Sequence, residues 1–263
     1  MNYHPAANRG LTNAACSQQL SAIPGLATIA FKINCQFFLC LRICILLIVY
    51  YIIQSNFKDY FCAELQMNFL AHIYLSGDTT EVLIGNFIGD YVKGNDYLKY
   101  PEGIRKGILM HREIDTFTDK HPATRSCKTF IKPKYKKFSG IVVDIFYDHF
   151  LATNWERYSS VPLKEFVIQK YNVLEDYFDF FPEEVQKFFP YFLKSNWLHA
   201  YSTFNGLRLV LRRMAFRTSI PDFSFYAIAQ LKENYEVLGN NFSKFFDDIL
   251  DFVKTEFSIQ PVG

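Results

Sequence analysis

Past residue 66 the sequence holds a single cysteine, Cys127; Cys16, Cys35, Cys40, Cys44 and Cys62 all come before it. No two of the six form a C-x-x-C pair, and their spacing makes no disulfide framework, so a stapled scaffold and a thiolate zinc site are both excluded. One cysteine in roughly 200 residues suits a reducing compartment, and a cytoplasmic location is expected. Charge of one sign is lacking as well: 28 Lys and Arg face 26 Asp and Glu, a net +2. Residues 1–66 hold four basic side chains (Arg9, Lys32, Arg42, Lys58) against two acidic ones (Asp59, Glu64), which leaves 24 of each sign in the rest. A neutral body argues against general nucleic-acid binding. The usual nucleophile and phosphate motifs are missing: there is no G-x-S-x-G, P-loop, G-x-G-x-x-G or H-E-x-x-H, and no E-x-x-H pair of the di-iron bundles. Nothing around Cys127 points to an activated thiol. No alternating strand pattern occurs, and no Asn-Gly or Asp-Gly turn joins two such runs.

What is present is apolar and helical. Half of the residues are hydrophobic and 18% aromatic, enough for a sizeable core. Residues 1–28 are polar, small and aperiodic, and are expected to be disordered. The run Phe37–Ile53 is interrupted by Arg42, and its unbroken part, Ile43–Ile53, falls short of the roughly 20 residues of a spanning helix. It reads as a short or tilted membrane anchor with Arg42 snorkelling outward, as a signal peptide without a small-x-small cleavage site, or as sequence upstream of the true start. The composition shift at Met67 favours the last. The expected organisation is an extension over 1–66 and one all-α domain over 67–263.

Within that domain, Asp78 and Thr79–Thr80 cap a helix entering EVLIGNFIGDYV, and Gly94-Asn95 breaks it. Pro101 opens a helix through GIRKGILMHREIDTFTD that stops before His121-Pro122. Pro133 and KYKK lead into a helix over SGIVVDIFYDHFLATNW, and LKEFVIQKYNVLEDYFDFF follows Pro162 as another. Pro182 and Pro190 punctuate two shorter helices ending near HAYSTF. GLRLVLRRMAFR and FYAIAQLKENYEVLGNNFSKFFDDILDFVKTEF supply the remainder.

Chemistry concentrates where acidic, amide and imidazole groups recur four residues apart in apolar helices, because that spacing stacks them on one face. His111, Asp115 and Asp119 form one such series, Asp144 and Asp148 (followed by His149) a second, and Asn86 and Asp90 a third, with His72 near the domain start. Burying such a stripe is costly unless something pairs with it, and a divalent ion is the expected partner. Oxygen ligands with some imidazole favour Mn²⁺ or Mg²⁺ over structural zinc. A metal-activated water is the expected nucleophile, with Arg112 placed to neutralise a phosphate oxygen. Arg208, Arg212, Arg213 and Arg217 give one helix a basic flank, read either as paired with Asp247, Asp248 and Asp251 or as a docking strip for an acidic partner. Lys132, Lys134, Lys136 and Lys137 make a second basic candidate near the mouth of the site.

MNFLAH from Met67, the GN-x-x-x-D segment (Gly85, Asn86, Asp90), H-R-x-I-D-x-x-T-D (His111 to Asp119) and D-x-x-x-D-H-F-L (Asp144 to Leu151) together resemble the acyl carrier protein phosphodiesterase family. The resemblance covers Met67 to about Phe257 and leaves residues 1–66 outside. It implies an all-helical domain distantly similar to HD-type metal-dependent phosphohydrolases, and a Mn²⁺ requirement. It also implies hydrolysis of the phosphodiester joining 4′-phosphopantetheine to a serine of holo-acyl carrier protein. It places the metal ligands among His72, Asp90, His111, Asp115, Asp144, Asp148 and His149, with Arg112, Asp115 and Asp119 as catalytic candidates. The rival expectations are an HD-like hydrolase of a nucleotide or other small phosphoester, and a membrane-tethered binding module.

Overall fold

The structure, a computed structural model, describes residues 68–260; the expected disordered stretch over 1–28 and the apolar run Phe37–Ile53 lie outside them. The described residues form α-helices and short 3-10 turns with no strand, the all-α class expected. None of these helices is long and apolar enough to cross a membrane.

Helix α1 (Phe69–Leu75) is buried along its whole length, so it has no polar face to define an orientation. Its position is set from outside: the Asp148 carboxylate accepts from the backbone N–H groups of Leu70 (3.1 Å) and Ala71 (2.8 Å), capping a helix whose own Asn68 makes no side-chain cap. Helix α2 (Thr80–Ile88) begins at the expected threonines, with Thr79 as N-cap. It ends sooner than its pattern suggests, so that Asp90 sits in a 3-10 turn, Gly89–Tyr91.

Helix α3 (Glu102–Lys120) runs between Pro101 and His121, as its boundary residues require. It buries Ile104, Gly107, Ile108, Met110, His111, Ile114 and Thr118, among which Ile104, Ile108, His111, Ile114 and Thr118 follow three- and four-residue steps. Glycines set how closely α2 and α3 approach. A methyl group on Gly85 would run into the Ile104 carbonyl, and one on Gly107 into the Val82 carbonyl. The two backbones therefore touch, which brings Asn86 against His111.

Helix α4 (Pro122–Tyr135) is a departure from the sequence pattern, in which Pro133 and KYKK only lead into the next helix. Pro122 occupies the first turn, where no N–H partner is needed, and the His121 ring accepts from Ala123 N. Pro133 falls in the last turn, where continuing the helix matters least. Helix α5 (Ser139–Thr153) is almost wholly buried, so the stretch IVVDIFY is helical as expected.

Helices α6 (Leu163–Asp176), α7 (Glu183–Lys194), α8 (Trp197–Ala200), α9 (Phe204–Arg217), α10 (Ser224–Glu233) and α11 (Tyr235–Phe257) complete the described fold. Pro190, read as a break, lies inside α7. An interior proline costs about 3 kcal/mol, but Val185, Phe188, Phe189 and Phe192 are buried from the same helix, at roughly 1.5–3 kcal/mol each. Phe69, Phe87, Phe188 and Phe192 meet in one aromatic cluster, so α7 closes over the backs of α1 and α2.

Replacing Gly107 by Ala is expected to destabilise the protein by about 1–3 kcal/mol through overpacking, although alanine is the better helix former. Urea denaturation of Gly107→Ala reads this directly; unchanged stability would mean the α2–α3 crossing is not glycine-limited.

Candidate metal centre

Three helices converge on one buried amide. Asn86, fully buried on α2, accepts through Oδ1 from His72 Nδ1 (2.7 Å) and stands 3.2 Å from His111 Nδ1. His111 Nδ1 also donates to the Asn86 carbonyl at 2.8 Å. The Asn86 Nδ2 group donates to the His72 carbonyl (2.9 Å) and to Ser76 Oγ (3.0 Å), while Ser76 Oγ donates back to the His72 carbonyl at 2.8 Å. Every acceptor facing the two Nδ1 atoms is an oxygen that cannot donate. Both imidazoles therefore carry their proton on Nδ1 and turn Nε2 the other way. The rings stack with centroids 4.2 Å apart.

What the Nε2 atoms meet is carboxylate. His72 Nε2 lies 3.3 Å from Asp115 Oδ1, and His111 Nε2 lies 3.4 Å from Asp115 Oδ2 and 3.2 Å from Asp90 Oδ1. Both Nε2 atoms are buried, and neither makes a hydrogen bond. His72, His111 and Asp115 can present ligand atoms within 4.8 Å of one another, a group that could hold a metal ion. Two orphaned imidazole nitrogens and a partly exposed carboxylate suit a divalent cation, with Asn86 fixing the tautomers as a supporting hydrogen-bond partner does. Gly89 adds a steric condition, because a Cβ there would collide with the His111 ring.

The electrostatics without an ion are one-sided. Burial pulls the His111 imidazolium down, but Asp90 and Asp115 outweigh it and raise its pKa from 6.5 to about 10. Burial likewise opposes ionisation of Asp115, yet His111 and His72 hold its carboxyl well below the usual range.

Asp115 also lines a cleft of about 370 Å³. Asp119, Asp144, Lys128, Lys136 and Lys137 give it a mixed-charge lining, to which Phe138, Ile141 and Ile220 add apolar surface. Asp119 is exposed and accepts from Lys128 Nζ at 2.7 Å. Burial first, then Asp115 and Asp119, push the Asp144 carboxyl well above the usual carboxylate range against the pull of Lys128.

The structure thus gathers His72, Asp90, His111 and Asp115 at one point, with Asp119 and Asp144 on the adjoining cleft. Other expected site residues are elsewhere. Both Asp148 oxygens are taken by the α1 N-terminus, so this carboxylate caps a helix. His149 Nδ1 donates to the Tyr201 carbonyl (2.7 Å) and its Nε2 accepts from the Tyr235 hydroxyl (3.2 Å), which leaves no nitrogen for a cation. Arg112 donates to the carbonyls of Val92 (2.8 Å) and Gly94 (3.0 Å) and lies over the Tyr97 ring, pinning the 92–97 loop rather than facing the cleft. Being adjacent to His111 in sequence, it stands about 100° around the helix. On α9, Arg208 packs on Phe225, Arg213 on Trp197 and Arg217 on Tyr191, while Arg212 approaches Asp222 at 3.9 Å. Asp247 pairs with Arg157 and Asp248 with His121, so the expected pairing of these acids with the α9 arginines is not what forms. Ser76, Gly89 and Lys128 went unnoticed in the sequence. Ser76 lies one turn after His72, the only local signal any of them gave.

An all-helical protein with a buried histidine–aspartate group that could hold a metal ion is the class that this fold and site define. Residues 67–249 match the family model described as acyl carrier protein phosphodiesterase. The chain is 32% identical over 188 residues to the acyl carrier protein phosphodiesterase of Yersinia pestis, covering 70% of this chain and 96% of that protein. It is 32% identical over 181 residues to that of Enterobacter sp. (strain 638), covering 68% and 94%, and 29% identical over 189 residues to that of Serratia proteamaculans (strain 568), covering 72% and 98%. No solved structure matches. The chain belongs to the acyl carrier protein phosphodiesterase family, and the resemblance read from its motifs holds.

Two outcomes follow from this geometry. Asn86→Ala removes the group that fixes both tautomers, and is expected to weaken divalent-ion binding by about 10- to 100-fold in a metal titration; unchanged affinity would mean the rings are held by packing alone. In chelated protein, the His111 pKa lies above its ordinary 6.5, so its charge contributes stability that is fully present below about 6.5 and lost as pH rises through about 10. Urea midpoints of the metal-free protein should fall between pH 7 and pH 10, and His111→Gln should flatten that slope.

Proposed function

We propose that this chain hydrolyses the phosphodiester joining 4′-phosphopantetheine to a serine of holo-acyl carrier protein, releasing apo-carrier protein and free 4′-phosphopantetheine. The carrying observation is the pair of orphaned Nε2 atoms beside Asp115 at the edge of a cleft, in a chain of this family. We place the ion on His72, His111 and Asp115, with Asp90 beside them, and Mn²⁺ is our choice over Mg²⁺ because imidazole supplies two of the donors. When bound, a divalent ion supplies Lewis-acid charge to a phosphoryl oxygen and a water of lowered pKa. The chain's own residues do the rest. Asn86 aims the imidazoles, and Asp115 joins the centre to the cleft. Asp119 accepts a proton at its exposed carboxylate, and Asp144, whose carboxyl burial pushes above the usual carboxylate range, donates one to the departing serine oxygen.

The working domain in this reading is 67–263, acting in the cytoplasm, with 1–66 as an extension outside it. Its macromolecular partner is the acidic carrier protein, received on the Arg208, Arg212, Arg213 and Arg217 face of α9, whose C-terminal end leads into the Thr218–Ile220 lip of the cleft. Complementary charge of this kind accelerates encounter and fades with salt.

Incubating holo-carrier protein with the full chain should remove the phosphopantetheine mass with Mn²⁺ and leave it with chelator. Asp115→Ala should lower turnover at least about 100-fold with folding retained. Turnover unaffected by chelator or by Asp115→Ala would overturn the site. An Arg212→Glu/Arg213→Glu double variant as active as wild type at low salt would remove α9 from the interface.

A further inference from the structure

With Arg112 committed to the 92–97 loop, the cleft draws its positive charge from another source. Lys128, Lys136 and Lys137 come from α4 and the turn after it, and they line the cleft together with Asp115, Asp119 and Asp144, Lys128 in contact with Asp119. Each is placed by an identifiable constraint. Lys128 is held by Asp119 and lies across the first turn of α5, where a Cβ on Gly140 would stand 3.2 Å from its Cε and 3.3 Å from its Nζ. Lys137 folds its ammonium over the Phe138 ring, at 4.9 Å from the centroid.

Lys136 is the informative one. Its backbone sits at φ +50° and ψ −117°, a conformation that glycine adopts freely and an L side chain does not. Such a position is strained for a residue with a Cβ. Lys136 is exposed, and among the described residues it pairs with no carboxylate. Its ammonium therefore offers no internal stabilisation in return for the strained turn. Lys136 lines the cleft, where its solvated ammonium is open to a ligand.

We propose that Lys128, Lys136 and Lys137 form the phosphoryl-binding wall of this cleft, a subsite for the phosphate monoester that diester hydrolysis leaves behind. This rests on the reading of the cleft as a phosphodiesterase site and specifies which group it grips. In the reaction water adds its oxygen to phosphorus, the bond from phosphorus to the serine oxygen breaks, and that oxygen takes a proton. A diester of charge −1 becomes a monoester whose second pKa is near 6, so at neutral pH the product carries nearly two charges. A wall of three ammonium groups holds the dianion more tightly than the monoanion. Product and inorganic phosphate are then inhibitors competitive with the carrier protein.

The test is calorimetric titration of inorganic phosphate into the Mn²⁺-loaded full chain, in wild type, Lys136→Gly and Lys137→Ala, beside urea denaturation and a wild-type turnover assay. Each substitution should weaken phosphate binding about tenfold, the value of one charge-assisted hydrogen bond. Lys136→Gly should be as stable as wild type or more so, because glycine relieves the turn. Equal phosphate affinity in all three, or no binding to wild type, overturns the subsite even if holo-carrier protein is turned over. Lysine-dependent phosphate binding without turnover supports the subsite and removes the carrier-protein substrate instead.

Discussion

The centre depends on one buried side chain amide. Asn86 spends its oxygen on two imidazole N–H groups and its nitrogen on a carbonyl and a hydroxyl, so its hydrogen-bonding capacity is used by two neighbouring helices at once. A buried amide left unpaired would be costly. That cost ties α1, α2 and α3 into one arrangement, and the arrangement exists only because Gly85 and Gly107 let two helices meet backbone to backbone. The fold and the site share a single constraint: the crossing that packs the core also aims the imidazoles.

The same geometry makes the site favour positive charge. Two lone-pair nitrogens face two carboxylates in a region closed to water on the histidine side. In the metal-free chain a proton on His111 answers that field. A divalent ion answers it more fully, so occupancy by metal and by protons are alternatives at one place. Asp115, about a third exposed, is the carboxylate that belongs both to this centre and to the cleft.

Around the centre, several chemistry-bearing residues serve structure. Asp148 holds the end of α1, which carries His72. His149 is locked between Tyr201 and Tyr235, and Arg112 fastens the loop after Asp90. They sit close to the site in sequence because they hold the elements that make it. The helix over Pro122–Tyr135 has the opposite history: it was silent in the sequence, yet it and the turn after it bring three lysines to the cleft.

Sequence by itself determined the class, most helix boundaries and the placing of His111 and Asp115 on one helix face. Periodicity of 3.6 is a local property, and a His–Asp pair four residues apart on a buried face, as at His111 and Asp115, remains on one face whatever the helix packs against. The family motifs rest on the same local order. Only the tertiary structure separated Asp144 from Asp148, which share spacing, helix and chemistry. What divides them is that the α1 N-terminus docks on one and the cleft opens on the other. It also decided that Pro190 would stay inside a helix, since the aromatic cluster that offsets the proline is assembled from α1, α2 and α7. Which way a polar group faces depends on what arrives from elsewhere in the chain, and a single stretch of sequence carries no record of its neighbours in space.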